Sequence, residues 1–335
     1  MLAIAAQPDP SHPSAPAFLG IERTFLFDAR HDGRMNPFTM AVVDRVCAWA
    51  ERHGLAPSAQ VAKAMQRARF NVLAGYGHPD ADEQGFYLTA RWCTWLFFQD
   101  DLLCDRKPEH GGMLGPSELA AEHRVLLAAL RGELPKNASP LASSIHEIGQ
   151  DILARRDHAH LDRFAQDVAD YLFGNEWEAL NRVRGEVPSV SAFVKMRLHA
   201  GAAYTAFQFW EIADDFALPE RDHVAAYELR VMANNCISWA NDLYSLHKEV
   251  HEHNPNNLVL ALANEQGCSL EAAMRETVRM YNLEYRAFQR LTADLHALGV
   301  GNLGPYADKL HGWMLGNIRW SRMTPRYREN ISMRG

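Results

Sequence analysis

WCTWLFFQDDLLCD, residues 92–105, is an aromatic run of helix length that delivers three carboxylates to one end. Aspartates rarely cluster on an otherwise apolar helix, because desolvating an unpaired carboxylate costs several kcal/mol unless a cation meets it. At about 100° per residue, Asp101 and Asp105 fall within roughly 40° of each other on one face, whereas Asp100 lies off that line and serves a different neighbour. Asp101 and Asp105 are therefore the geometric choice for metal ligation, with Asp100 bonding a metal or a guanidinium. Oxygen-only ligands suit a hard cation such as Mg²⁺ better than zinc. The plainer reading is an acidic helix end facing water.

A second stretch decides between them. NDLYSLHKE, residues 241–249, sets Asn241, Ser245 and Glu249 on one helical stripe at i, i+4 and i+8. Amide oxygen, hydroxyl and carboxylate are all hard ligands, and together they can hold Mg²⁺ with positions left for a substrate phosphate. Lys248 beside them can reach an anion. The two motifs together resemble those of the class I terpene synthases of the microbial, single-domain kind. In that family an Asp-rich motif and an N-x-x-x-S-x-x-x-E motif face each other across a helical barrel and trap three Mg²⁺ and a diphosphate. DDLLCD is the longer form of the first motif. NDLYSLHKE meets the second at every required position, about 140 residues further on.

The rest of the chain accommodates this reading. Its 335 residues are 47 % hydrophobic and 22 % charged, enough for a sizeable core and too apolar for disorder. A net charge of −7 disfavours a nucleic-acid surface. Five cysteines without zinc-like spacing suit reduced thiols in a cytoplasmic protein. No apolar run is long enough for a transmembrane span, and MLAIAA lacks the basic start of a signal peptide.

Residues 1–16 read as a loose arm and 17–335 as one all-α domain, a helical barrel or bundle. Helices are expected at about 39–53, 59–73, 79–104, 117–131, 139–156, 159–181, 189–213, 222–251, 258–264, 269–297 and 304–320. Breakers such as RKPEHGG (106–112), GELPKNASP (132–140), RGEVPS (184–189), EHNPNN (252–257) and GVGNLGP (299–305) separate them. Ser117 and Ser269 look like helix starts.

Two further segments carry chemistry. In SVSAFVKMRLHAGAAYTAFQFWEIA (189–213), Arg197 is the strong cation deep in an apolar helix, and Gly201 follows four residues later. A buried guanidinium wants a planar oxyanion, and a mid-helix glycine suggests close packing or a break. A snorkelling Arg and a packing Gly are the plainer account. The resemblance implies that Arg197 senses diphosphate, that Ala200 is a linker, and that the Gly201 carbonyl faces the forming cation. HGWMLGNIRWSRMTPRY (311–327) resembles the family's W-x-x-G-N-x-x-W segment with its Arg-Tyr pair, Arg326 and Tyr327, both suited to diphosphate oxygens.

Other candidates read as structural. Asp214-Asp215 runs into Pro219 and is taken as a helix-end loop, His31-Asp32 as surface, DHAHLD (157–162) as a solvated helix start, and Glu176-Trp177-Glu178 as packing.

The implied activity is Mg²⁺-dependent ionisation of an allylic isoprenoid diphosphate by a monomer or homodimer. Farnesyl diphosphate and a sesquiterpene product are the default. Metals, Arg197, Lys248, Arg326 and Tyr327 would stabilise the leaving group. Trp92, Trp95, Phe97, Phe98, Tyr204, Phe207, Trp210, Trp313 and Trp320 are candidates to line a dry pocket, about half of them expected to be ordinary core. A monoterpene or diterpene synthase shares every motif. A chain-elongating prenyltransferase would carry a second Asp-rich motif where this chain has NDLYSLHKE, and a non-catalytic isoprenoid-binding protein is the remaining alternative.

Overall fold

A computed structural model describes residues 25, 33–105, 112–220 and 223–327. The expected N-terminal arm and His31-Asp32 lie outside the described residues. Thirteen α-helices run through the described residues, and no strand occurs among them. They are α1 (Val43–Arg52), α2 (Ala59–Ala68), α3 (Phe70–Gly77), α4 (Glu83–Gln99), α5 (Pro116–Leu130), α6 (Pro140–Arg155) and α7 (His158–Arg184). The chain continues with α8 (Val190–Ala200), α9 (Ala203–Ala213), α10 (Val224–His251), α11 (Leu258–Gln266), α12 (Leu270–Leu298) and α13 (Leu303–Met323). Among the described residues, no helix is long and apolar enough to cross a membrane.

Local chemistry sets many of the boundaries. Ser58, Asp82, Ser139, Asp157, Ser189 and Ser269 each cap a helix by accepting from the amide three residues on. Ser117 does not cap: Gly115 stands at the cap of α5, Pro116 opens the helix, and Glu118 reaches back to the Gly115 amide. Gly185, Gly267 and Gly299 close α7, α11 and α12 in the left-handed region.

Three expected helices are interrupted. Arg69, at φ 58°, breaks the expected 59–73 helix into α2 and α3. Ala202, at φ 57°, divides 189–213 into α8 and α9. The end of 79–104 is not α-helical, since Asp100–Cys104 form a π-turn.

Helices α3, α4, α7, α8, α9, α10 and α13 contribute to the wall of one cavity. Their outer faces bury a continuous core that includes Trp49, Trp92, Trp95, Trp210, Phe86, Phe98 and Phe164. Gly77 makes room for the cavity wall: a Cβ there would fall 1.4 Å from the Trp313 ring.

Candidate active site

The Asp-rich end is shaped by its extra residue. In an α-helix Asp105 would bond back to Asp101; here its amide bonds to the Asp100 carbonyl at 2.9 Å, an i→i+5 register. Asp100 and Asp105 therefore line the cavity together, while Asp101 is fully buried. The α-helical expectation sets Asp101 beside Asp105; the π-turn brings Asp100 to the cavity wall with Asp105 as well. Arg326 forks onto Asp101 at 2.8 and 3.0 Å and reaches Asp100 at 3.3 Å. Lys248 crosses from α10 to bond Asp105 at 2.7 Å. Ligand oxygens of all three aspartates lie within 4.8 Å of one another.

Opposite them, Asn241 and Glu249 also line the cavity. The Asn241 amide accepts from Arg197 at 2.9 Å and donates to the Tyr327 hydroxyl at 2.6 Å. Ser245 is buried behind them, its hydroxyl donating to the Asn241 carbonyl at 2.9 Å. Glu249 accepts from Asn257 at 2.6 Å. Arg197 is anchored by Asp242, 2.7 Å away. Asp242 also takes the Leu258 amide at 3.2 Å. It is fully buried, and sequence reasoning passed over it, although its only signal was its place beside Asn241.

Electrostatics mark this as an acidic site short of cations. Burial, then the charge of Asp105, pushes Asp100 up to about 6. Burial, then Asp242, pushes Glu249 up to about 8. Burial also raises Glu178, to about 7, against the pull of Arg197. Burial works against the charge on Lys248, but Asp105 and its neighbours outweigh it and hold the ammonium protonated. Crowded carboxylates that resist ionisation, with only oxygen donors beside them, fit a hard divalent cation.

Past the charged rim the cavity becomes apolar, with Leu73, Leu96, Phe97, Trp313 and Trp320 on its wall. Its volume of about 180 Å³ is more than ten times the roughly 10–15 Å³ that an ordered water needs. One side is smooth: Ala200, Gly201, Ala202, Ala203 and Ala206 line it around the α8–α9 break. A Cβ on Gly201 would come within 2.8 Å of Ser238 Oγ on α10, so a larger residue there would have to displace that hydroxyl.

Six of the nine expected lining aromatics are core instead. On α4 the cavity face is Cys93, Leu96 and Phe97, continued by Asp100 at the π-turn, which turns Trp92 about 90° and Trp95 and Phe98 about 150° away from it. Trp92 stacks on Trp95 at 5.2 Å, and its indole donates to Thr205. On α9 the cavity takes Ala203 and Ala206, so Tyr204 and Phe207 point elsewhere. Tyr204 lies under Arg230, and Phe207 stacks on Trp210, whose indole donates to the Gly77 carbonyl.

Three polar residues of α7, Tyr171, Asn175 and Glu178, line the cavity and escaped sequence reasoning. Their spacing of i, i+4, i+7 was the available signal, hidden by the packing assigned to Glu176-Trp177-Glu178. Asp214 stands at the end of α9, as expected of a helix-end loop, but its side chain is fully buried, 3.1 Å from Lys309 and 3.5 Å from His78.

A cavity with one acidic, cation-seeking rim and an apolar interior, enclosed by α-helices, defines a helical barrel built for an amphiphile with an anionic head. The profile described as "Terpene synthase family 2, C-terminal metal binding" matches residues 91–287, and the chain belongs to that family. It is 32 % identical to the (+)-T-muurolol synthase ((2E,6E)-farnesyl diphosphate cyclizing) of Roseiflexus castenholzii, over 88 % of this chain and 91 % of that one. It is 30 % identical to the 10-epi-cubebol synthase of Sorangium cellulosum, over 84 % and 90 % respectively. Among solved structures, the linalool/nerolidol synthase from Streptomyces clavuligerus superposes with a TM-score of 0.76 at 22 % identity, covering 89 % of this chain and all of that one. An α-eudesmol synthase gives a TM-score of 0.75 at 20 % identity, covering 89 % and 98 %. The fold is that of the class I terpene synthases.

Proposed function

We propose that this protein is a sesquiterpene synthase that ionises farnesyl diphosphate with the help of Mg²⁺ and cyclises the resulting cation. The observation that carries the reading is a shared opening: Asp100 and Asp105 from one side, Asn241 and Glu249 from the other, all line one cavity with an apolar interior. Curated relatives named for farnesyl diphosphate cyclisation support the choice of substrate.

In this reading Asp100, Asp105, Asn241, Ser245 and Glu249 hold the metal, three ions being the expected number. When bound, Mg²⁺ neutralises charge developing on the diphosphate as the carbon–oxygen bond breaks. The chain's own cations take up the rest. Arg197 and Lys248 line the cavity, and Arg326 with Tyr327 closes the rim behind them. Each is engaged with a partner within the protein, so substrate binding exchanges these contacts for diphosphate oxygens. Phe97, Trp313 and Trp320 present aromatic faces to the hydrocarbon, where a cation is stabilised by ring quadrupoles. The smooth alanine wall leaves room for the chain to fold. Asp101 acts through Arg326, which it orients from behind.

The test is incubation with C10, C15 and C20 allylic diphosphates and Mg²⁺, with and without isopentenyl diphosphate, and products read by mass spectrometry. A cyclic C15 hydrocarbon or alcohol from the C15 substrate is expected. Turnover of only the C10 or C20 substrate, or coupling with isopentenyl diphosphate, would replace this reading with a monoterpene synthase, diterpene synthase or prenyltransferase.

A further inference from the structure

A chain of buried polar groups runs behind the Asp-rich turn, and its polarity can be worked out group by group. Tyr171 of α7 lines the cavity, and its hydroxyl donates to Gln99 Oε1 at 2.5 Å. Gln99, the last residue of α4, is completely buried. Its Nε2 lies 3.3 Å from His123 Nε2 and 3.4 Å from Cys104 Sγ. His123 in turn sets Nδ1 2.9 Å from Glu176 Oε1.

A carboxylate only accepts, so the proton of a neutral His123 must sit on Nδ1, leaving Nε2 as an acceptor. The Gln99 nitrogen then has an acceptor for each of its two hydrogens, the His123 nitrogen and the Cys104 sulfur. The Gln99 oxygen is left for Tyr171, whose single hydroxyl proton it takes. The opposite polarity would face an unprotonated Nδ1 against Glu176, two acceptors at 2.9 Å. An imidazolium would donate from both nitrogens and force the Gln99 amide over. Burial, which holds His123 below the usual imidazole range, works against that state.

We infer that Tyr171 is a cation-stabilising residue of the cavity, its phenol locked as an acceptor by the positioning residues Gln99, His123 and Glu176. The inference rests on the terpene synthase reading. With its proton committed, the phenol offers the hydrocarbon its ring and oxygen lone pairs, the negative end of a dipole. It can stabilise a nearby cationic carbon, and it cannot be the acid that reprotonates a neutral intermediate. Any water it holds must donate to it.

Two measurements test this. In the unmodified protein, nitrogen-detected NMR of the histidine rings should find His123 neutral with its proton on Nδ1, the signal being assigned by its loss in His123→Gln. A proton on Nε2 would overturn the inference. The second measurement is the product mixture, normalised to diphosphate released. Tyr171→Phe should redistribute products, the main one losing about tenfold in share, and His123→Leu should shift the mixture in the same direction. His123→Gln, which can return a carbonyl oxygen to the Nε2 position, should restore it. An unchanged mixture in folded Tyr171→Phe would overturn the role of Tyr171. If that variant fails to fold, the contrast between His123→Leu and His123→Gln decides, and equal mixtures from the two sink the proposal. No diphosphate release from the unmodified protein with any allylic substrate would defeat the terpene synthase reading and the role of Tyr171 with it, whichever tautomer His123 shows.

Discussion

Adjacent aspartates with near-identical sequence context do different work here, and substitution should separate them. Asp100 faces the cavity, and burial raises it to about 6, so replacing it with Asn removes a crowded charge. Asp100→Asn should leave stability intact while diphosphate release falls about a hundredfold. Asp101 is paired with Arg326 out of solvent. Asp101→Asn should lower activity as well, but also cost about 3 kcal/mol in urea unfolding by leaving a buried guanidinium with only its longer contact to Asp100. Equal stability losses in the two variants would contradict this division. Glu178 gives a test by pH. Its folded pKa of about 7 lies above the ordinary 4.5, so the folded protein binds the proton more tightly. Its stabilising contribution is full below about 4.5 and is lost as pH rises through about 7. In chelator, Glu178→Gln should flatten the fall in melting temperature across that window; an unaltered slope would rule Glu178 out as its source. The residue types at the rim could be read from sequence, yet the buried anchor Asp242 could not, and the i, i+4, i+7 spacing of Tyr171 and Glu178 does not by itself tell a cavity-facing stripe from a packed one.

At the scale of elements, irregularities decide what faces the cavity. The π-turn at Asp100–Cys104 absorbs the extra residue of DDLLCD and returns Asp105 to the side of Asp100. Periodicity alone assumes 3.6 residues per turn and so leaves Asp100 off the face of Asp105. The α8–α9 break holds Ala202 at φ 57°, where a Cβ costs about 1–2 kcal/mol. Ala202→Gly should therefore stabilise by about 0.5–1 kcal/mol after the entropy of the added glycine is counted. Ala206→Gly, inside α9, should destabilise by about 1 kcal/mol. Thermal unfolding checks the opposite signs; destabilisation by both would mean the break is not strained at Ala202. Arg69, also left-handed, ends α2 with no sequence signal, since arginine favours helix.

Across the whole molecule, the site's cations are held in internal ion pairs. Arg197 lies on Asp242, Lys248 on Asp105, and Arg326 on Asp101. Diphosphate alone would have to displace carboxylates from each of them, and Mg²⁺ alone would meet cations beside its ligands. Together they satisfy both sets of charges. Inorganic diphosphate with Mg²⁺ should therefore raise the melting temperature by more than the sum of the separate shifts, and chelator should abolish the gain. Purely additive shifts would argue against a joint site.

The sequence by itself determined the all-α class, most helix limits and the two acidic motifs. Helical periodicity, capping residues and ligand spacing are properties of a chain read a few residues at a time. Only the tertiary structure decided which aspartate faces the cavity, which aromatics line it and which cations the carboxylates hold. Those outcomes depend on how a helix is rotated about its axis and where it breaks. Contacts between residues a hundred or more apart, such as Arg326 on Asp101 and Lys248 on Asp105, fix that rotation.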